Sequence, residues 1–170
     1  FLETHYRKPM DWRQGRADAA HRRLDIWASE LENSADLLES FKNDRVGFSQ
    51  ANAPENVLEA IADDLNTSLA LTRLVEVGKK IEGVKRAELT IDQVQIVHRK
   101  LLAGCYLLGI DIVKFIKEVN LKSSKLNDLE IELSSARDTA MQTKDFSEVD
   151  RLKSALIDAG VEVRMSKAGV

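Results

Sequence analysis

Apolar residues return at every third or fourth position along most of this chain, and that spacing leaves helices as almost its only folding choice. Between Ala17 and Glu32, the side chains of Ala20, Leu24, Trp27 and Leu31 fall on one helical face, with Arg16, Arg22, Arg23 and Glu30 left to water. Leu37, Leu38 and Phe41 suffice for a short helix within Ser34 to Arg45. The stretch Val46 to Ala53, with Gly47, Ser49 and Gln50 ahead of Pro54, reads as a linker. Pro54 suits a first helical turn, where its missing N–H has no partner to lose, and Val57, Leu58, Ile61, Ala62 and Leu65 then form an apolar stripe. Asn66 or Thr67 can cap the next helix, whose buried face is Ala70, Leu71, Leu74, Val75 and Ile81 and which ends in the polar run Glu82 to Glu88 around Gly83. Thr90 with Gln93 makes a capping box ahead of Val94, Leu101, Cys105 and Leu108. Three such helices can shield one another as a small bundle.

The final third has its own pattern. Leu129, Leu133, Ala136 and Ala140 mark one helix, Lys144 and Asp145 a break, and Val149, Leu152 and Leu156 a second helix that Asp145 and Glu148 can cap. Gly160 fits the left-handed position that ends a helix, and Val161 to Met165 alternates apolar with polar as a short strand does. The expected fold is therefore mainly all-α: a helical bundle followed by a helical hairpin with a short C-terminal β element. The divisions fall at residues 1–47, 48–118 and 119–170.

A chain of 170 residues with 44% apolar content and a formal charge of -3 describes a folded globular protein. Its longest apolar stretch, Leu101 to Ile116, is broken by Gly104, Gly109, Asp111 and Lys114, so no membrane span is expected. The single Cys105 has no disulfide partner and no neighbour at metal-ligand spacing, which fits a reducing cytoplasm. The mild acidity argues against general adhesion to nucleic acid, DNA included, but leaves room for a local patch that meets a defined RNA loop. Phe1 to Trp12 reads as the exit from an element whose beginning lies upstream.

Catalytic patterns are missing. The chain carries no phosphate-binding Gly-rich loop, no H-E-x-x-H and no G-x-S-x-G elbow, so no catalytic, cofactor-binding or metal-ligating residue is assigned. His98 lies beside Val94 and Leu101 as a boundary histidine, Asp63-Asp64 reads as helix-end and turn chemistry, and Cys105 keeps register with the core.

Three separated segments carry a resemblance. Thr4-His5-Tyr6-Arg7-Lys8-Pro9-Met10-Asp11-Trp12 is similar to a signature just after the nucleotide-binding core of cysteinyl-tRNA synthetases. Ala60 to Leu71 resembles the family's Ala-x-x-Asp-Asp-Phe-Asn-Thr-Pro-x-Ala-Leu, and Lys144 to Leu152 with Leu156 and Gly160-Val161 resembles its Lys-Asp-aromatic-x-x-Ala-Asp-x-Ile-Arg…Leu…Gly-Ile. Collinear and at compatible spacing, they resemble the C-terminal half of that family. Arg164-Met165-Ser166-Lys167 is also similar to the Lys-Met-Ser-Lys-Ser loop of class I synthetases, but it trails the chain end rather than a nucleotide-binding sheet and is read as coincidence.

The resemblance implies stem-contact helices, a bundle of the type shared with arginyl-tRNA synthetases, and a C-terminal anticodon-binding domain. It implies a cysteine tRNA as partner, with ATP and zinc handled by a catalytic half outside this chain, and a cytoplasmic location. Anticodon contacts would fall to Phe146, Asp150, Arg137, Lys144, Arg151, Lys153 and Arg164, with Phe146 stacking on a base and Asp150 accepting from a base N–H. Stem contacts would fall to Arg7, Arg13, Arg16, Arg22 and Arg23. Three positions depart from the pattern: Met141 stands where the family often has Arg, Arg164-Met165 where an acidic pair is common, and Ser68 where Pro is usual. A helical interaction adaptor with no RNA role is the alternative reading, and a free-standing cysteine ligase is a third.

Overall fold

The computed structural model describes residues 2–4, 7–9, 13–82, 88–158 and 161–164, and divides into two compact units between Lys117 and Glu118. The described elements are α1 (Gln14–Glu32), α2 (Ala35–Asn43), α3 (Arg45–Asn52), α4 (Glu55–Ala62), α5 (Thr67–Gly78), a 3-10 turn (Lys79–Ile81), α6 (Ile91–Leu107), α7 (Ile112–Thr143) and α8 (Ser147–Asp158). The fold is all-helical, and α7 contributes its first turns to one unit and the rest of its length to the other.

In the N-terminal unit α4 packs against α5, α3 against α6, and α5 against α6. Small residues set the closest approaches. A Cβ on Gly104 of α6 would strike Leu74 Cδ1 of α5, and one on Gly78 would lie 2.8 Å from Trp27 Cε2 and nearer still to Nε1. The glycines thus let Trp27 and Leu74, both essentially fully buried, seat against backbone. Trp27, Leu31, Leu74, Ile81, Leu101, Leu102 and Ile112 anchor this core.

The helix boundaries follow from local chemistry. Asn66 Oδ1 accepts from Leu69 N–H at 3.1 Å to start α5, and Thr90 and Gln93 form the reciprocal capping box that starts α6. Helix α6 ends where Gly109, at φ 70°, lets Ile110 N–H reach Cys105 O at 2.8 Å. Asp111 Oδ1 then accepts from Lys114 N–H at 3.0 Å and opens α7. Asn66→Ala is expected to destabilise the N-terminal unit by about 1 kcal/mol, the usual worth of a cap, with Asn66→Asp close to wild type. Urea unfolding curves of the two variants check this.

Four expectations are corrected. Val46 to Ala53 is no linker: Asp44 caps α3 through Gly47 N–H at 2.9 Å, and Phe48 and Ser49 are buried. The Gly and Ser content that suggested a loop instead serves a tight first turn, since a side chain at 47 would collide with Asp44. On α1 the buried alanine is Ala28, whereas Ala20 is exposed, so the buried face is short and lies toward the helix's C-terminal end. Leu58 and Leu65 are exposed, because α4 spans only eight residues and turns Val57 and Ala60 inward. Residues 161–164 form no strand. They lack a strand partner among the described residues and instead lay Val161 and Val163 on the hairpin core. Val161 N–H bonds Leu156 O at 2.9 Å, the five-residue closure expected of a helix end, while Gly160 and Met165 lie outside the described residues. The polar run around Gly83 also lies partly outside them, at 83–87.

The C-terminal unit is the expected hairpin. Leu133 and Ala140 of α7 pack on Val149, Leu152 and Leu156 of α8, with Leu129 and Ala136 beside them. The turn is sharp because Lys144 takes a left-handed conformation, φ 64°, as its N–H closes on Ala140 O at 2.8 Å.

Candidate nucleic-acid interface

The hairpin turn presents the residues that the third sequence segment singles out. Phe146 is 45% exposed and Met141 57%, so both offer apolar surface to solvent. Phe146 O accepts the N–H of Asp150 at 3.0 Å, which joins the Phe146 backbone to the first turn of α8. Phe146, Asp150, Lys153 and Ile157 then follow at spacings of four, three and four, which place them along one side of that helix.

A second flank of the hairpin is chemically different. An open groove between α7 and α8 is lined by Asp128, Glu132, Asp145 and Glu148, with hydroxyls from Ser135 and Thr139. Its lining is acidic, with the charge of Glu148 offset by Arg151. Phe146, Asp150, Lys153 and Ile157 are not among the residues that line it.

Ion pairs sort the predicted cations. Arg151 forms a two-pronged pair with Glu148, at 2.6 and 2.9 Å, and Arg164 pairs with Glu162 at 2.7 Å. Each of these arginines thus has a carboxylate partner within its own segment. Lys144 is exposed at the turn, Lys153 is half-buried on α8, and Arg137 is half-buried on α7. The seven residues named for anticodon contact therefore all lie in one unit but differ in how available their charge is.

The five N-terminal arginines occupy different settings. Arg7 reaches Asp64 at 3.1 Å, while Ser68 Oγ donates to Glu3 O at 2.9 Å. Arg7 of the first sequence segment is thus adjacent to Asp64 of the second. Asp64 and Leu65 sit at φ 52° and 53°, in the turn that delivers Asn66 to its cap. Ser68, one of the departures from the family pattern, supplies a donor that proline lacks. Arg16 and Arg23, seven residues apart, share a side of α1, Arg22 lies round the helix from them, and Arg13 is its N-terminal boundary residue.

Sequence reasoning missed one polar contact. His98, 1% exposed, has Nδ1 2.8 Å from Ser34 Oγ, which ties α6 to the corner between α1 and α2. The apolar register of His98 signalled burial, but a partner 64 positions away left no trace in local spacing. Cys105 is fully buried, and desolvation pushes its thiol up to about 12, so it stays a neutral core residue.

The turn carries a pH signature. The Ser147 backbone N–H, then the Ser147 hydroxyl, holds the Asp145 carboxyl below its ordinary value, and the hydrogen-bonded Arg151 does the same for Glu148. Asp145 Oδ1 accepts from Ser147 N–H at 3.0 Å, whereas Glu148, expected to share the capping, is taken by Arg151. Because both folded values are lowered, their stabilisation is complete above the ordinary carboxylate range and is lost as pH falls through that range and below it. Acid titration of helix content should show the hairpin weakening there, and Asp145→Asn should weaken the turn at neutral pH while flattening that acid dependence.

Among the described residues no helix is long and apolar enough to cross a membrane, and no three of His, Cys, Asp or Glu gather as a metal site.

Comparison with known proteins supplies the family. Over 170 aligned residues the chain is 36% identical to a cysteine–tRNA ligase of Ruegeria sp. (strain TM1040), covering 100% of this chain and 31% of that protein. It is 36% identical to the enzymes named cysteine–tRNA ligase from Jannaschia sp. (strain CCS1) and Paracoccus denitrificans (strain Pd 1222), with 99% of this chain aligned to 31% and 30% of theirs. The chain thus spans about 31% of the length of these curated relatives. No family model matches it, and no solved structure does. The chain belongs to the cysteine–tRNA ligase family, whose C-terminal part it matches throughout its length.

Proposed function

We propose that this chain docks a cysteine tRNA for ATP-dependent cysteinylation carried out by another part of the same protein, in the cytoplasm. The observation that carries the reading is the whole-length match to the C-terminal part of cysteine–tRNA ligases. The hairpin adds a physical basis: an exposed aromatic ring at a sharp turn, with Lys144 in the same turn, Lys153 two turns along α8 and the acidic groove lined by other residues. Unpaired loop bases can stack on Phe146, Asp150 can accept from a base N–H, and Lys144 and Lys153 can meet the adjacent phosphates. ATP and zinc belong to the catalytic part, and the described residues here play no role toward either.

Met141 leaves the far side of the turn with an apolar contact where a hydrogen-bonding arginine is common in the family. Stacking therefore contributes more to loop binding here, and edge reading less. The cations take unequal roles in this reading. A fluorescence-anisotropy salt titration with a single-stranded loop should show a shallower slope for Lys144→Ala and Lys153→Ala, by roughly 0.7 per lost phosphate contact. Arg151→Ala and Arg164→Ala should leave the slope near wild type, because those charges are already paired. Equal slopes for all four variants would contradict the assignment.

A further inference from the structure

The middle of α7 combines weak helix formers with a lack of cover. Every residue from 120 to 128 is exposed, whereas Ile112, Val113 and Ile116 before it and Leu133 and Ala140 after it are buried. The exposed run is Asn120-Leu121-Lys122-Ser123-Ser124-Lys125-Leu126-Asn127-Asp128. Its serines, asparagines and aspartate favour non-helical backbone, because their short side chains compete for nearby N–H and C=O groups. A helix in a protein draws most of its stability from packing an apolar face, and here Leu121 and Leu126 remain 57% and 44% exposed. The division into two compact units falls just before this run.

We propose that residues 120–128 are a joint: this stretch of α7 opens locally while the two flanking stretches stay helical, so that the C-terminal hairpin turns as a separate body. The flanks are held by burial in their own units, and opening the joint exposes little further apolar surface. The cost of opening is therefore far below that of unfolding either unit. The joint is a property of this helix and stands whether or not the hairpin meets RNA.

Hydrogen exchange on the full chain tests the opening. Amides of 120–128 should exchange at least roughly tenfold faster than those of 112–117 and 133–140. The variant Asn120→Ala/Ser123→Ala/Ser124→Ala/Asn127→Ala strengthens the helix without touching either core and should slow that exchange by roughly tenfold. Nitrogen-15 relaxation supplies the second readout. The two units should tumble with different correlation times in the wild type and with more similar ones in the alanine variant. Exchange across 120–128 as slow as in the flanks, or a single correlation time for both units of the wild type, would overturn the proposal.

Discussion

Trp27→Ala is expected to destabilise the N-terminal unit by about 3–5 kcal/mol, the range for truncating a buried aromatic. Trp27 is 1% exposed on α1, and its ring lies directly against Gly78 at the end of α5. Rigid backbone on that side cannot collapse into the space, so the deletion leaves a cavity as well as a lost transfer energy. A domain of this size is stable by only about 5–15 kcal/mol, so the loss is a large share of the total. Ile26, the preceding residue, is 44% exposed and serves as the control: Ile26→Ala should cost about 0.5 kcal/mol or less. Urea unfolding followed by circular dichroism compares the two, and a Trp27→Ala midpoint equal to that of Ile26→Ala would show that the packing described here is wrong.

Leu133→Ala should act on the other unit alone. Among the described residues the buried core of the hairpin is Leu133, Ala140, Val149, Leu152 and Leu156, and Leu133 is 1% exposed. Truncation there costs about 2–5 kcal/mol, and a unit this small has little stability to spare. The expected result is loss of hydrogen-exchange protection throughout α8 and the facing part of α7, with α1 to α6 protected as before. Ile131→Ala, on the same helix but 68% exposed, should leave protection intact. Loss of protection in α5 and α6 in the Leu133 variant would show that the units do not fold separately.

These two sites illustrate what could be read from residue order. The three- and four-residue spacing of Leu24, Trp27 and Leu31, and of Leu129, Leu133, Ala136 and Ala140, fixes helix faces because each face must be covered. The capping box at Thr90 and Gln93 was equally legible, since both halves of the contact lie within four residues. Helix α3 was not, because its signals point the other way: Gly47 and Ser49 favour loops in isolation, and the burial of Phe48 against Phe41, the packing of α3 on α6 and the Asp44 cap make a helix there. The C-terminal alternation of Val161 and Val163 was read as a strand because two-residue spacing also serves a segment that lays its valines on a helical hairpin.

The candidate interface was legible in part. The segment around Lys144 to Leu152 located the turn, and the turn does present Phe146. Charge pairing was not legible. Arg151 and Lys153 look equivalent in sequence, yet Glu148 sits three residues before Arg151 and holds it in a two-pronged pair. Arg7 reads as a surface cation, but its partner Asp64 is 57 positions away.

Docking of a tRNA anticodon by the hairpin is the central claim, and anisotropy binding of the chain to a cysteine-tRNA anticodon stem-loop, alongside one with scrambled loop bases, tests it most directly at several salt concentrations. The account predicts tighter binding of the native loop, a preference that persists as salt rises, and a loss of about 1–3 kcal/mol for Phe146→Ala, the worth of one stacked base. Absence of binding at every salt concentration, or binding that Phe146→Ala leaves unchanged, would contradict it.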